Sequence, residues 1–212
     1  MQIQWLGQAC FKIQTKNSSS QEITIATDPF QEDCGLKISK FQADILTLSQ
    51  TAGDNNNLEA IKGEPFIVSG PGEYETRDLF IFGVPTFHAD KNGGYTTLYR
   101  LNAENINLVH LGPLGQELTD EQIDQIGDVD ILLVPIGGGQ VLDAKKASLI
   151  ISEMEPRLVI PMYYQIPGLK NKLNTLEEFI KTSGLPVEKI EKLKIHKKDL
   201  PTEETKIIVL SP

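Results

Sequence analysis

Residues 44–57 read Asp-Ile-Leu-Thr-Leu-Ser-Gln-Thr-Ala-Gly-Asp-Asn-Asn-Asn. An apolar run enters a polar turn, and the turn leads toward a short helical pattern. Gln50, Asp54 and Asn55 place amide and carboxylate oxygens on that turn. A carboxylate there can hold a metal ion or take a proton, whereas amide oxygens are poor partners for zinc. Imidazoles are scarce, because the chain has only three histidines, His88, His110 and His196. His196 stands among Lys194, Lys197 and Lys198, as on a solvated surface. His110 ends an apolar run, where a histidine with its hydrogen bonds satisfied is expected. His88 sits between Phe87 and Ala89-Asp90, and taken alone it reads as structural. Gly137-Gly138-Gly139 lacks the lysine of a phosphate loop and the G-x-G-x-x-G spacing of a dinucleotide site. It predicts a tight strand-to-helix turn whose N–H groups could line a pocket. Cys10 and Cys34 have no C-x-x-C spacing and predict two reduced, partly buried thiols.

The elements that would carry these residues follow from periodicity. Ile3–Leu6, Cys10–Ile13 and Glu22–Thr27 alternate as a β-meander. Ala43–Leu48 is an apolar run suited to a buried strand, and Asn56–Lys62 predicts a short helix closed by Gly63. Phe66–Val68, Glu73–Glu75, Leu79–Phe87, Thr96–Leu101 and Ile106–His110 predict further strands. Ser69-Gly70-Pro71-Gly72 predicts a turn, as does Asp90–Gly94. Beyond Gly112 the character changes to β-α-β. Thr119 with Gln122 predicts a capped helix start, and Ile131–Pro135 predicts a buried strand. Helix Asp143–Glu153, strand Leu158–Pro161, helix Thr175–Ser183 and strand Lys206–Leu210 follow.

The 212 residues, 40% hydrophobic and 23% charged, suit a globular protein. No linker, repeat or low-complexity tract divides them, so residues 1–212 are expected to form one domain. A net charge of −9 argues against nucleic acid and anionic membrane surfaces as partners. No apolar run approaches the ~18 residues needed to span a bilayer. The N-terminus starts an alternating strand rather than a signal segment, so a cytoplasmic location is expected.

Trp5-Leu6-Gly7-Gln8-Ala9-Cys10-Phe11, Thr27-Asp28-Pro29-Phe30, Gly70-Pro71-Gly72-Glu73-Tyr74, Gly83–His88, His110-Leu111-Gly112, Pro135–Gly139 and Val159–Met162 occur in an order that resembles the metallo-β-lactamase fold superfamily. The resemblance runs to about Gly168 and is nearest to the bacterial Zn-dependent hydrolases similar to ascorbate-phosphate lactonase. It implies an α/β (α+β) chain folded as a four-layer αβ/βα sandwich. It also implies where metal ligands belong. The family's H-x-H-x-D-H frame falls on Gln50, Ala52, Asp54 and Asn55. Its next histidine falls on His88, its bridging aspartate on Pro113 and its last histidine on Tyr163. A further histidine falls on Gln116. Only Asp54 and His88 match.

The family's zinc ions lower the pKa of a bound water and polarise the substrate. Ala52 and Pro113 offer no side-chain ligand atom, and a phenol such as Tyr163 is neutral near pH 7. An aspartate at the position of Asp28 supports the family's site from behind, and Asp28 or Asp90 could add a carboxylate to a rebuilt one. The resemblance with these departures leads to a first expectation: a hydrolase relative without its metals and without cofactor, serving as a scaffold. In that reading Gln50, Asn55, Gln116, Tyr163 and Tyr164 surround a neutral pocket for a small polar ligand, or the surface takes a protein partner, a second copy of the chain included. The alternative is a zinc- or manganese-dependent hydrolase of ester, lactone or phosphoester type, with a non-standard site around Asp54 and His88.

Overall fold

The computed structural model describes residues 1–50, 56–87 and 95–212. In chain order the first strands are β1 (Gln2–Gly7), β2 (Cys10–Lys16), β3 (Glu22–Thr27), β4 (Phe41–Gln42), β5 (Ile45–Thr47), β6 (Ile61–Lys62) and β7 (Phe66–Val68). There follow β8 (Gly72–Thr76), β9 (Leu79–Phe87), β10 (Tyr95–Ala103) and β11 (Ile106–His110). The remainder alternates: α1 (Asp120–Ile126), β12 (Ile131–Pro135), α2 (Ala144–Met154), β13 (Leu158–Met162), α3 (Leu176–Ser183), β14 (Val187–Ile190), β15 (Leu193–Lys194) and β16 (Lys206–Leu210).

Two sheets result. The first has the order β15-β1-β2-β3-β5-β7, and the second β14-β16-β13-β12-β11-β10-β9-β8. The expected meander β1-β2-β3 lies in the first sheet and β12 in the second. Strand alternation explains how the first sheet is sandwiched, since neighbouring side chains point to opposite faces. Phe11, Ile25 and Ile45 enter the main core between the sheets. Their neighbours Cys10, Ala26 and Leu46 enter two smaller clusters on the opposite face. Phe30, Ile38 and Ala60 belong to one of these clusters, so the cover there is made of loops and 3-10 turns at Glu32–Cys34 and Leu58–Ala60.

The second sheet is covered by helices. β12 and β13 are buried along their whole length, as continuous apolar runs flanked by parallel neighbours should be. In α2, Ala147, Ile150, Ile151 and Met154 recur at helical spacing and are buried. This helix packs on β12 and against α3, and α1 packs on β9. Each α-helix start carries a side-chain cap: the expected one at Thr119 with the reciprocal Gln122 bond, and others at Asp143 and Thr175.

Three details differ from the sequence expectation. Asn56–Lys62 is not an α-helix but a 3-10 turn followed by β6, which pairs with β4. Unlike α1, which is also seven residues long, this stretch has no side-chain cap at its start, Asn57. The extended form instead buries Ile61 against Ala43 and Leu46. β14 escaped notice because it is an edge strand with mostly exposed residues. β4 and β15 have two residues each, too short for a periodicity. The expected turn at Asp90–Gly94 lies outside the described residues.

Candidate functional site at the mouth of the sandwich

β3 and β5 run parallel, as do β11, β12 and β13. Ligands in α/β sheets collect beyond the carboxyl ends of parallel strands. Here Asp28 follows β3, Gln50 follows β5, Pro113 follows β11 and Tyr163 follows β13. Together with Gln8 from the β1–β2 turn they line a cavity of about 210 Å³. Phe30, Asp33, Cys34, Asn56 and Asn171 are also in its wall. Three sequence-predicted positions, Gln50, Pro113 and Tyr163, therefore meet although they are distant in the chain. Ala52, Asp54, Asn55 and His88 lie outside the described residues. Gln116 is exposed and is not in the wall, a correction to its expected place in the pocket. Tyr164 is also no pocket residue: it is buried and stacked on Trp5, ring centroids 4.9 Å apart.

Three of the lining residues have left-handed backbones that side chains disfavour: Gln8 (φ 49°), Asp28 (φ 35°) and Tyr163 (φ 55°). Such strain persists only where the surroundings hold it, and it gathers at functional sites. The surroundings are specific. The Gln8 carbonyl accepts the Trp5 indole N–H at 2.8 Å and the Tyr163 N–H at 3.1 Å. The Asp28 N–H donates to the Thr47 carbonyl, and its Oδ1 accepts the Ser49 N–H at 2.6 Å. Two glycines permit the close approach. A Cβ on Gly137 would stand 2.2 Å from the Tyr163 carbonyl oxygen, and one on Gly112 would stand 2.4 Å from Ser49 Oγ. The Gly137–Gly139 stretch is thus a tight β12–α2 turn, as read from sequence, and none of its residues is in the cavity wall.

Behind Asp28 lies His110. Its Nε2 donates to the Ala9 carbonyl at 2.9 Å, which places the neutral ring's hydrogen on Nε2. Nδ1 then faces Asp28 Oδ2 at 3.8 Å, too far for a hydrogen bond. Among the described residues neither atom has a hydrogen-bond partner, and neither has Gln8 Oε1. The expectation of a satisfied histidine is corrected: His110 is satisfied on one nitrogen only. Burial pushes the Asp28 carboxyl up, against the opposing pull of His110 and the Ser49 hydrogen bond. Burial likewise pushes His110 down, against Asp28 and the Ala9 bond. The Tyr163 phenol is raised by burial, with Asp28 and Cys34 adding to it, so it stays protonated. Sequence reasoning missed Gln8 and Ser49, and nothing in their residue types marks them. Their positions just beyond β1 and β5, and for Gln8 its place in a segment that carries the resemblance, were the available signals.

The described part of the donor set offers little to zinc. Gln50 offers an amide, Pro113 nothing and Tyr163 a protonated phenol. Among the described residues no three of His, Cys, Asp or Glu are grouped to hold a metal. Of the thiols, Cys10 is buried and Cys34 half-buried, both free.

Comparison with known proteins places this geometry. The family described as the beta-lactamase superfamily domain matches residues 2–163. A UPF0173 metal-dependent hydrolase of Staphylothermus marinus is 24% identical over 189 residues, which is 76% of this chain and 82% of that protein. A UPF0173 metal-dependent hydrolase of Listeria welshimeri is 25% identical, covering 77% of this chain and 85% of the relative. Among solved structures, a protein of Thermotoga maritima assigned as a Zn-dependent hydrolase of the metallo-β-lactamase superfamily aligns with a TM-score of 0.80. It shares 29% identity and covers 99% of both chains. The metallo hydrolase Igni18 of Ignicoccus hospitalis shares the fold, with a TM-score of 0.64 at 19% identity, covering 86% of this chain and 90% of that one. These names favour the metal-dependent hydrolase reading over the inactive, cofactor-free scaffold. No described helix is long and apolar enough to cross a membrane.

Proposed function

The chain belongs to the beta-lactamase superfamily domain family, and from that premise we propose that its mouth cavity binds a small polar molecule where the family carries out metal-dependent hydrolysis. One observation carries this reading. Three residues with left-handed backbone, Gln8, Asp28 and Tyr163, line one cavity, and two of them, Gln8 and Asp28, carry buried polar atoms without a partner among the described residues. A fold that served only as a scaffold gains nothing from keeping them.

Two forms of this function differ in chemistry. In the first, favoured by the relatives' names, the chain is a hydrolase of ester, lactone or phosphoester type with a non-standard site around Asp54 and His88, using zinc or manganese. In the second, favoured by the donor chemistry at Gln50, Pro113 and Tyr163, the molecule is bound and not cleaved. Metal analysis and thermal melts decide between them. A ligand that binds only the folded state raises its stability. Stoichiometric metal, a melting temperature that falls with chelator and recovers with zinc or manganese, and turnover of ester or lactone probes would select the hydrolase. Melts indifferent to metal, with no turnover, would select binding alone.

A further inference from the structure

The outer face of the first sheet carries a recess that shares no residue with the mouth cavity. Strand alternation puts Gln4 and Leu6 of β1 and Lys12 of β2 on that face, because Ile3, Trp5, Phe11 and Ile13 enter the core on the other. Gln4 and Lys12 stand directly opposite in the strand register. The chain at 37–41 lies beside them. Its Ile38 is buried with Cys10, Phe30 and Ala60, and Leu6 and Phe41 pack on that cluster. This anchor holds Lys37, Ser39 and Lys40 in the wall of a recess of about 330 Å³.

The wall contains Lys12, Lys37 and Lys40 and no aspartate or glutamate. None of these lysines ion-pairs with a carboxylate among the described residues, although the chain as a whole has a net charge of −9. The Lys12 ammonium instead lies 5.5 Å from the centroid of the Phe41 ring, whose π-face holds it. The Gln4 amide and the Ser39 hydroxyl are further donors, and neither has a hydrogen-bond partner among the described residues. Like charges around one recess repel, and an anion that meets all of them turns that repulsion into attraction. Concave walls concentrate the field. Lysines act as point charges and suit phosphate and carboxylate groups alike, whereas a planar bidentate fork needs arginine. We propose that this recess binds a small organic dianion, a phosphate monoester or a dicarboxylate. Lys12, Lys37 and Lys40 meet its charged group, and Leu6, Ile38 and Phe41 lie against its apolar body.

The test is calorimetric titration of the full chain at mildly alkaline pH and low ionic strength. Phenyl phosphate and phthalate carry two charges on a ring, benzoate carries one, and inorganic phosphate has no ring. At least one ringed dianion should bind about tenfold more tightly than both benzoate and inorganic phosphate. Which of the two does so names the charged group, and added salt should weaken it. Lys37→Gln and Lys40→Gln, at exposed positions, should each weaken that probe about threefold, as for one part-exposed ion pair. Lys12→Gln should weaken it more, since the ring fixes that ammonium in place. Lys37→Glu combined with Lys40→Glu should abolish binding, and keeps the test decisive if Lys12→Gln folds poorly. Lys145→Glu, exposed on α2 and outside the recess, should change nothing. Dianions that bind no better than benzoate or inorganic phosphate would overturn the proposal. Equal losses from Lys145→Glu and Lys37→Glu would overturn it by reducing the effect to general attraction. Loss of the probe on Gln50→Ala would overturn it by placing the anion in the mouth cavity, which would then remain a ligand site.

Discussion

Left-handed backbone occurs at both ends of the sandwich and serves different ends. Opposite the mouth it comes in pairs at Arg77-Asp78 between β8 and β9 and at Glu104-Asn105 between β10 and β11, and singly in the β2–β3 turn at Ser20 and at the end of α2 at Glu155. Paired left-handed residues make the two-residue hairpin turn whose twist suits the strands. The carboxylates of the paired turns are satisfied. The Glu104 carboxylate accepts from the Met1 ammonium at 2.9 Å, from Thr15 Oγ1 at 2.8 Å and from the Lys16 N–H at 3.1 Å. Asp78 accepts from Ser18 Oγ at 2.7 Å. At the mouth the left-handed residues are single, at Gln8, Asp28 and Tyr163, and their neighbourhood holds unpartnered atoms. Strain alone therefore does not mark a site. Strain beside unsatisfied polar groups and open space does.

The severest way to break the mouth is steric. Gly137→Ala drives a methyl group against the Tyr163 carbonyl at 2.2 Å, a backbone atom with no freedom to yield. A loss of about 3 kcal/mol is expected, the upper range for overpacking, read as a lowered midpoint in urea.

The contrast between the ends is sharpest in their carboxylates. Glu104→Ala strands three donors and should cost about 2 kcal/mol. Asp28→Asn keeps an oxygen for the Ser49 N–H and removes a poorly solvated charge. It should leave stability within about 0.5 kcal/mol of the parent or raise it, as at sites where function opposes stability. If both substitutions cost alike, the two ends do not differ as described.

Titration offers a third test. Burial alone would raise the Glu104 carboxyl, but its bonds to the N-terminal ammonium, Thr15 and Lys16 hold it below the usual value. Its contribution is present above the unfolded carboxylate value and is lost as pH falls through the lowered folded value. At the mouth the two groups act against each other. His110 is lowered from 6.5 by burial, so as pH falls below that value the unfolded chain gains a proton the folded chain refuses, and stability drops. Asp28 is raised by burial, so on acidification the folded chain takes its proton first, and stability rises. Asp28→Asn removes the compensating rise. Its stability should decline more steeply than the parent's from pH 6.5 downward, measured by urea titration at a series of pH values.

What the sequence disclosed follows the same division. The fold was legible because alternation at Ile3, Trp5, Phe11 and Ile13, continuous apolar runs at Ile131–Pro135 and Leu158–Met162, and caps at Thr119, Asp143 and Thr175 are local signals of burial and helix entry. The convergence of Gln50, Pro113 and Tyr163 was legible only through the resemblance. The pairing of Asp28 with His110 was not legible, because it depends on a 3.8 Å approach between two sheets. Gln8 was invisible for a related reason. Its role comes from a backbone conformation fixed by Trp5 and Tyr163, which no residue type announces.

The smallest expected effect defines where the mouth ends. The resemblance puts Gln116 beside the site, yet the chain leaves the cavity before reaching it. Gly112 packs against Ser49, Pro113 is the last lining residue of this loop, and Leu114 is buried with its carbonyl accepting the Leu142 N–H at 2.8 Å. That bond draws the loop toward the start of α2 and leaves Gln116 in solvent. Gln116→Ala should therefore change stability by no more than about 0.5 kcal/mol, as for exposed positions without partners, and should leave the affinity of any cavity ligand unchanged. Gln50→Ala, in the wall itself, should weaken the same ligand. Calorimetric titration of both variants with one cavity ligand reads the difference. Equal losses from the two would mean that the cavity extends along the loop to Gln116 when occupied, and that the boundary between mouth and surface lies farther out than Pro113.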